Sequence, residues 1–518
     1  MKRSARSAQN TDTGSHLSPG KITVLLLLFA AMLRALQLSV ELQYDELWTL
    51  INFAPLDTFQ ILTDLSLPNN HPVNTLVLKL LSQISLAPVI LRLGVFLCGI
   101  VVVYLTGKCA EKLSSDREFP LAAQFLAALS LPLIYLSVYA RGYMFQLAGL
   151  QLCILGIYRS ATDDNDRAAP FMIAGGGILC CFSVSSGIMF LLCAAVGHFL
   201  LAPKDCRFRK KLLFSGIATA VILLIYYIAL YSRIRAGQHW GIEITSLNAW
   251  FTFASRTVAA LLPLFLIPWV AAGLIFDRRC RIIMAIALLP LLLAIITNGG
   301  PERVYLPLAL VFILIAASGF NALWKKFPQH KKILLALLAL SGIGSYSLPE
   351  PVWQLQTPAA DLHRTLSATT ENTLVILPGT AGFPAAMNAP ELAQLIEQRA
   401  AMPVAALVML HCEDGVFNGS DITCSEAVMR FPVRGKRLNF LPGYSYTLTR
   451  CETLPPPGTT VLIQFFDAPS EEFIKYSGRK LRLNIWLNKR CQLYICEVPP
   501  QGFPGGNGIC YRIGESAP

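Results

Sequence analysis

Eleven apolar runs between residues 22 and 349, each about long enough to cross a bilayer, dictate most of what this chain can become. A crossing helix needs about 20 predominantly apolar residues. Hydropathy places such runs at 22–38, 88–107, 119–136, 142–158, 169–184, 187–203, 212–232, 257–276, 282–298, 304–323 and 333–349. Lipid offers no partners to backbone N–H and C=O groups, so runs like these must be helices. Composition agrees, because 54% hydrophobic and 14% charged residues over 518 positions describe a polytopic membrane protein.

Charge fixes the expected sidedness. With the N-terminus in the cytoplasm, the internal connections hold Lys2, Arg3, Arg6 and Lys21, then Lys108, Lys112 and Arg117, then Arg159 and Arg167. Next come Lys204 through Lys211, then Arg278, Arg279 and Arg281, and last Lys325, Lys326, Lys331 and Lys332. Every second connection is basic, as cytoplasmic loops should be. Of the 43 Lys and Arg, 29 lie before residue 350 against 16 of the 31 acids, so the net +12 belongs to the membrane part. Topology and an anionic ligand at the membrane explain that balance better than nucleic acid does. The first run has a long n-region and no small-x-small cleavage signal, so it reads as a retained span with a cytoplasmic tail, residues 1–21. Its Arg34 sits late in the span, where it either snorkels outward or faces the bundle.

The outer connection, residues 39–87, has two parts. Residues 73–86 are too short to span, and place Leu76, Val77, Leu80 and Leu81 on one stripe opposite Asn74, Lys79 and Ser82, which predicts an interfacial amphipathic helix. Ahead of it stands Tyr44-Asp45-Glu46. Carboxylates at a membrane boundary are costly unless they serve a polar site.

Residues 350–518 read as an exported α/β domain. Strand-like runs occur at 373–377, 404–410 and 460–466, a hairpin at 481–487 and 492–498, and a helix at 391–401. Six cysteines, Cys412, Cys424, Cys451, Cys491, Cys496 and Cys510, are confined to it, and an even number in one exported domain predicts a disulfide set. A zinc site is the rival reading, with His411 as its nearby histidine.

This topology gathers polar residues on the outer face. They are Asp45, Glu46, Asn69, Asn70 and His71, then Tyr139, Arg141 and Tyr143. Later loops add Arg233, Arg235, Gln238, His239, Trp240, Glu243, Asn298, Glu302, Arg303 and Tyr305. Arginine on the translocated side runs against the charge bias, and its planar fork suits phosphate or carboxylate. Ion pairing with Glu46, Glu243 or Glu302 is the plainer alternative for any single one.

The series YDELW, then Asn70-His71-Pro72, Leu91-Arg92-Leu93, a span with Pro132 ending Tyr139-Ala140-Arg141-Gly142-Tyr143, and Arg303-Val304-Tyr305 resembles the GT-C superfamily of polytopic glycosyltransferases. The nearest groups are the protein mannosyltransferase-like enzymes and the aminoarabinose lipid A transferases. The family's His-Pro-Pro stands here as His71-Pro72-Val73. The resemblance implies a GT-C membrane domain over 22–349 and a bacterial inner-membrane setting with the C-terminal domain in the periplasm. It also implies transfer of a sugar from a polyprenyl-phosphate carrier to a glycan, lipid or protein acceptor. Asp45 would be the general base and Glu46 its orienting partner. Asn70, His71, Arg141, Tyr143, Arg233, Arg235, Arg303 and Tyr305 would contact substrate. A divalent cation is the one cofactor the acid pair leaves open. The competing class is a transporter or lipid-linked sugar flippase, against which no internal repeat and no matched Gly/Pro helix breaks occur.

Overall fold

The computed structural model describes residues 18–65, 69–114, 116–163, 165–201, 210–237, 244–297, 299–347, Trp353 and Leu355, together with the backbone of ten strands beyond residue 374. The chain divides into two compact units. The first comprises Met1–Leu38, Leu62–Val77 and Arg92–Gln354, and the second Ser39–Ile61, Leu78–Leu91 and Leu355–Pro518.

In the first unit a helix lies on each apolar run. Pro19–Ala35, Leu93–Leu113, Tyr143–Thr162, Ala169–Ser183, Gly187–Leu201, Lys210–Ala229, Pro307–Lys326 and Lys331–Ser347 are unbroken. Among the described residues three of these, Leu93–Leu113, Lys210–Ala229 and Pro307–Lys326, are long and apolar enough to cross a membrane alone. Two bent pairs each qualify as one further span: Glu118–Leu129 with Leu131–Ser137, at 61°, and Leu247–Leu261 with Leu264–Phe276, at 79°. Both bends have a proline cause. Pro132 and Pro263 have no N–H to donate, so the carbonyl ladder is interrupted at each. The pair at 184–186 is a tight helical hairpin, which only a bare Gly187 permits, because a Cβ there would lie 2.7 Å from the Cys180 carbonyl oxygen.

Arg34 faces the bundle and is fully buried. Arg92 is equally buried, and its Nη1 donates to the carbonyls of Gln37 (3.4 Å) and Leu38 (3.2 Å) just past the first helix. That arginine therefore satisfies chain-end carbonyls that a helix inevitably leaves over.

The short helix Pro72–Ser82 forms where a helix was expected, but its buried face is mixed. Asn74, Thr75 and Leu78 are buried, Lys79 and Ser82 are half-buried, and Leu80 is 64% exposed. Buried hydrogen-bonding groups need protein partners, and Asn74 and Thr75 find them in the Ala140 carbonyl and Asn70.

At the connection between Leu113 and Glu118, Asp116 Oδ2 accepts from Lys325 Nζ (2.6 Å), Ser114 Oγ (2.6 Å) and Asn321 Nδ2 (2.8 Å). Lys325, Ser114 and Asn321, in that order, hold the Asp116 carboxyl down at about pKa 2. A depressed carboxyl stabilises the fold above its unfolded pKa and loses that contribution as pH falls through the folded value. Melting in detergent from pH 5 to pH 2 should therefore show a steeper acid loss for wild type than for Asp116→Asn, concentrated below about pH 4. Parallel curves would remove Asp116 from the stability of this connection.

In the second unit the helix Tyr44–Asn52 opens at Gln43, whose N–H donates to Glu46 Oε2 at 2.8 Å. Leu47, Phe53, Ala54 and Ile61 are buried, and Lys79 Nζ donates to the Leu56 carbonyl. The strands are β1 (Val375–Pro378), β2 (Leu407–Leu410), β3 (Asp421–Thr423), β4 (Phe431–Val433) and β5 (Lys436–Leu438). They continue with β6 (Tyr446–Arg450), β7 (Thr460–Phe465), β8 (Lys480–Leu481), β9 (Gln492–Glu497) and β10 (Ile509–Glu515). β1 and β2 pair in parallel, β4 and β5 antiparallel, and the rest form an antiparallel sheet in the order β3-β6-β10-β7-β9-β8. The expected runs at 373–377, 404–410 and 460–466 coincide with β1, β2 and β7. The expected hairpin is reduced to a two-residue β8, with Leu481 opposite Leu493. The expected helix at 391–401 lies outside the described residues.

The side chains of the six C-terminal cysteines also lie outside them, but the register constrains two. Cys496 is opposite Val461 and Cys510 is opposite Ile463, so β7 separates their strands. Two strand spacings of about 4.8 Å exceed the roughly 7 Å Cα separation a disulfide tolerates. Non-reducing peptide mapping should therefore find no Cys496–Cys510 bridge, whichever pairings the six cysteines make. Recovery of that bridge would contradict the sheet order, and six free thiols would favour the metal reading.

Candidate active site

The helix Tyr143–Thr162 begins at a turn that collects the family-like motifs of the first unit. The preceding half-helix Leu131–Ser137 ends at Val138, and Arg141 N–H closes onto the Tyr139 carbonyl at 2.6 Å. Asn74 Nδ2 donates to the Ala140 carbonyl at 2.7 Å. Arg141 is 2% exposed and reaches Asn69 twice, from Nη1 to the carbonyl (3.2 Å) and from Nη2 to Oδ1 (3.4 Å).

His71 and Asn70 approach this turn from the start of the helix Pro72–Ser82. His71 Nδ1 is 2.9 Å from the Ser183 carbonyl oxygen, which can only accept, so Nδ1 carries a proton. Its ring meets that of Tyr143 edge-on at 5.1 Å. Asn70 is used on both sides, with Nδ2 donating to the Asp64 carbonyl (2.6 Å) and Oδ1 accepting from Thr75 Oγ1 (2.9 Å). Between His71 and Ser183 lies Gly142. A Cβ there would be 2.2 Å from the Ser183 oxygen and 3.0 Å from both Cβ and Nδ1 of His71.

The motif near residue 303 arrives from the other end of the sequence. Arg303 Nε donates to the Tyr143 hydroxyl at 3.2 Å, and Tyr305, 1% exposed, packs its ring edge-on against Phe253 at 5.5 Å. Glu302 is buried and takes Arg256 Nε at 2.6 Å, so the plain ion-pair alternative holds for this acid, with a partner the sequence did not suggest. Trp353 meets Tyr135 edge-on at 5.7 Å and donates from Nε1 to the Ala260 carbonyl at 2.8 Å.

In the first unit His71 and Arg303 thus meet at Tyr143, with Arg141 and its partner Asn69 flanking the same turn, while Asn70 holds Asp64 and Thr75 and Tyr305 packs on Phe253. Two arginines and a histidine brought to one turn form a donor-rich, cationic setting of the sort that recognises phosphate. Arg303 is the more exposed of the two arginines, while Arg141 is committed to holding Asn69. Arg233 is exposed and donates to the Thr63 carbonyl at 2.8 Å, from a helix, Tyr231–Gly237, where a loop was expected. The side chains of Tyr44 and Arg235, and residues Gln238, His239, Trp240, Glu243 and Asn298, lie outside the described residues.

Asp45 and Glu46 belong to the second unit and to a helix rather than a loop. Glu46 is 1% exposed with Oε2 on the Gln43 N–H, so it caps its own helix. Asp45 is half-buried in the first turn, where the helix dipole favours a negative charge. Among the described residues no group of three or more His, Cys, Asp or Glu is placed to hold a metal ion. Sequence reasoning missed Asn74 as a site residue, although an asparagine in an apolar helix was a signal. It also missed the Ser183 carbonyl, which as backbone gives no signal at all.

No family model matches this chain, and no curated protein does. Solved structures similar to it include ArnT from Cupriavidus metallidurans in the apo state, at 12% identity and TM-score 0.47, covering 76% of this chain and 93% of that one. Another is the archaeal oligosaccharyltransferase AglB from Archaeoglobus fulgidus in complex with an inhibitory peptide and a dolichol-phosphate, at 12% identity and TM-score 0.43, covering 72% and 63%. A third is the arabinosyltransferase EmbB from Mycobacterium smegmatis, at 12% identity and TM-score 0.37, covering 99% and 64%.

Proposed function

We propose that this chain is an integral membrane glycosyltransferase that moves a sugar from a polyprenyl-phosphate carrier to an acceptor at the exported face. The observation that carries the reading is the convergence of three sequence-distant motifs, Asn70-His71, Arg141-Gly142-Tyr143 and Arg303-Val304-Tyr305, in one cluster. A carrier with a lipid tail suits a catalyst embedded in the membrane, since its phosphate and sugar alone need reach the polar cluster. The reading includes the eleven-span layout, a bacterial inner membrane and a periplasmic C-terminal domain.

In the proposed step Asp45 takes the proton from the acceptor, whose oxygen displaces the carrier phosphate at the anomeric carbon with inversion. The carbon–oxygen bond to the phosphate breaks and its electron pair stays on the phosphate. Arg303 donates to that developing charge, with Arg141 holding the Asn69 side of the cluster and Arg233 and Arg235 as further cations. Glu46 fixes the first turn that carries Asp45. His71, through Nε2, and Tyr143 face sugar or phosphate.

Titration of the purified protein in lipid nanodiscs with undecaprenyl phosphate tests this. Saturable binding is expected, and Arg303→Ala should weaken it by about 10–100-fold, the usual weight of a hydrogen bond to a charged group. Absence of saturable binding, together with no release of polyprenyl phosphate from lipid-linked sugars, would overturn the reading.

A further inference from the structure

The bend inside the span that delivers Arg141 is met by an arginine of the first helix, Pro19–Ala35, that the proposed chemistry does not use. Glu118–Leu129 ends where Pro132 stops the helical ladder, and Pro132 cannot donate to the Ala128 carbonyl four residues earlier. Inside a bilayer such a carbonyl must find another donor. Arg34 supplies it, with Nη1 on the Ala128 carbonyl at 3.2 Å and Nη2 on that of Ala127 at 3.4 Å. Nη1 also reaches the Ala30 carbonyl at 3.0 Å, and Nε donates to Ser137 Oγ at 3.1 Å.

The guanidinium therefore ties both sides of the break together, the C-terminal carbonyls of one half-helix and the last residue of the next. A cation at the C-terminal end of a helix is favourably placed against its dipole. Lysine has no planar fork with which to engage several separated oxygens at once. The arrangement has two more supports. A Cβ on Gly99 would sit 2.1 Å from Ser137 Oγ, so the glycine makes room for the serine, and Ser137 Oγ lies 3.3 Å from Sδ of Met144, the neighbour of Tyr143. Four residues after Ser137 comes Arg141.

We propose that Arg34 is a positioning residue that sets the angle of the half-helix Leu131–Ser137 and thereby the place of Arg141 and Tyr143. This rests on the glycosyltransferase reading for its functional meaning. Three variants in nanodiscs test it: Arg34→Gln, Arg34→Lys, and Phe320→Ala as a destabilising control. Phe320 is buried far along the helix Pro307–Lys326, about 20 Å by helical rise from its start just after Arg303.

Undecaprenyl phosphate affinity should fall at least about tenfold in folded Arg34→Gln, following loss of charge-assisted positioning, with partial rescue in Arg34→Lys. Phe320→Ala should keep near wild-type affinity at a comparable loss in melting temperature. Hydrogen exchange over 137–143, read without ligand, should accelerate in both Arg34 variants and not in the control. Unchanged exchange there, or equal affinity for Arg34→Gln and Phe320→Ala, would overturn the inference. Accelerated exchange in a protein that binds no undecaprenyl phosphate would leave the positioning intact and sink the glycosyltransferase reading instead.

Discussion

Asp45→Asn is expected to lower turnover by about 10²–10⁴-fold, the usual contribution of a positioned base, with little change in melting temperature. The side chains are nearly isosteric, and the Asp45 carbonyl, which the change leaves in place, accepts from Thr49 Oγ1 at 2.8 Å. Glu46 makes the contrasting forecast. Its carboxylate caps the helix and is almost wholly buried, so Glu46→Ala should cost stability of about 1 kcal/mol, in the range of a lost cap. The deciding measurement is release of polyprenyl phosphate per folded molecule, with folding followed by thermal melting in detergent. Near-normal specific activity in Asp45→Asn would remove this residue from the mechanism.

Gly142→Ala should be the most damaging single methyl group in the described part of the chain's polar cluster. The backbone φ of −68° is one any residue adopts, so the demand is for space and not for an unusual conformation. The new Cβ would meet the Ser183 oxygen at 2.2 Å, and backbone cannot swing aside as a flexible side chain can. Overpacking costs about 1–3 kcal/mol, and parting His71 from Ser183 strands a buried polar group at a similar cost of about 1–3 kcal/mol. A displacement of about 1 Å can also cost on the order of 10²-fold in rate. Gly175→Ala is the matched comparison, because nothing lies within 4 Å of its Cβ position in the helix Ala169–Ser183. That change should be neutral or stabilising by up to about 1 kcal/mol. Equal melting temperatures for the two variants would refute the packing argument.

The arginines show how far the sequence could be read. Their position at span ends marked Arg141 and Arg303 as unusual, which followed from the cost of charge near lipid, while Arg92 stood out only as part of the Leu91-Arg92-Leu93 motif. Their duties did not follow, because a guanidinium serves a phosphate and a leftover carbonyl with the same geometry. Arg92 proves to close the end of the first helix, Arg141 to hold Asn69, and Arg303 to meet Tyr143. Arg34 was legible only as a choice between lipid surface and bundle, and the bundle won through carbonyls that Pro132 had left over.

What the sequence determined by itself was the local and the periodic: which runs are helical follows from chain-local hydropathy, whereas the bends at Pro132 and Pro263 came from the structure. Only the tertiary structure decided which face of Pro72–Ser82 turns inward, that Gly142 must be bare, and that a histidine at 71, a tyrosine at 143 and an arginine at 303 meet. Such facts depend on backbone atoms of distant residues, the Ser183 carbonyl above all, and a carbonyl oxygen is the same in every residue type.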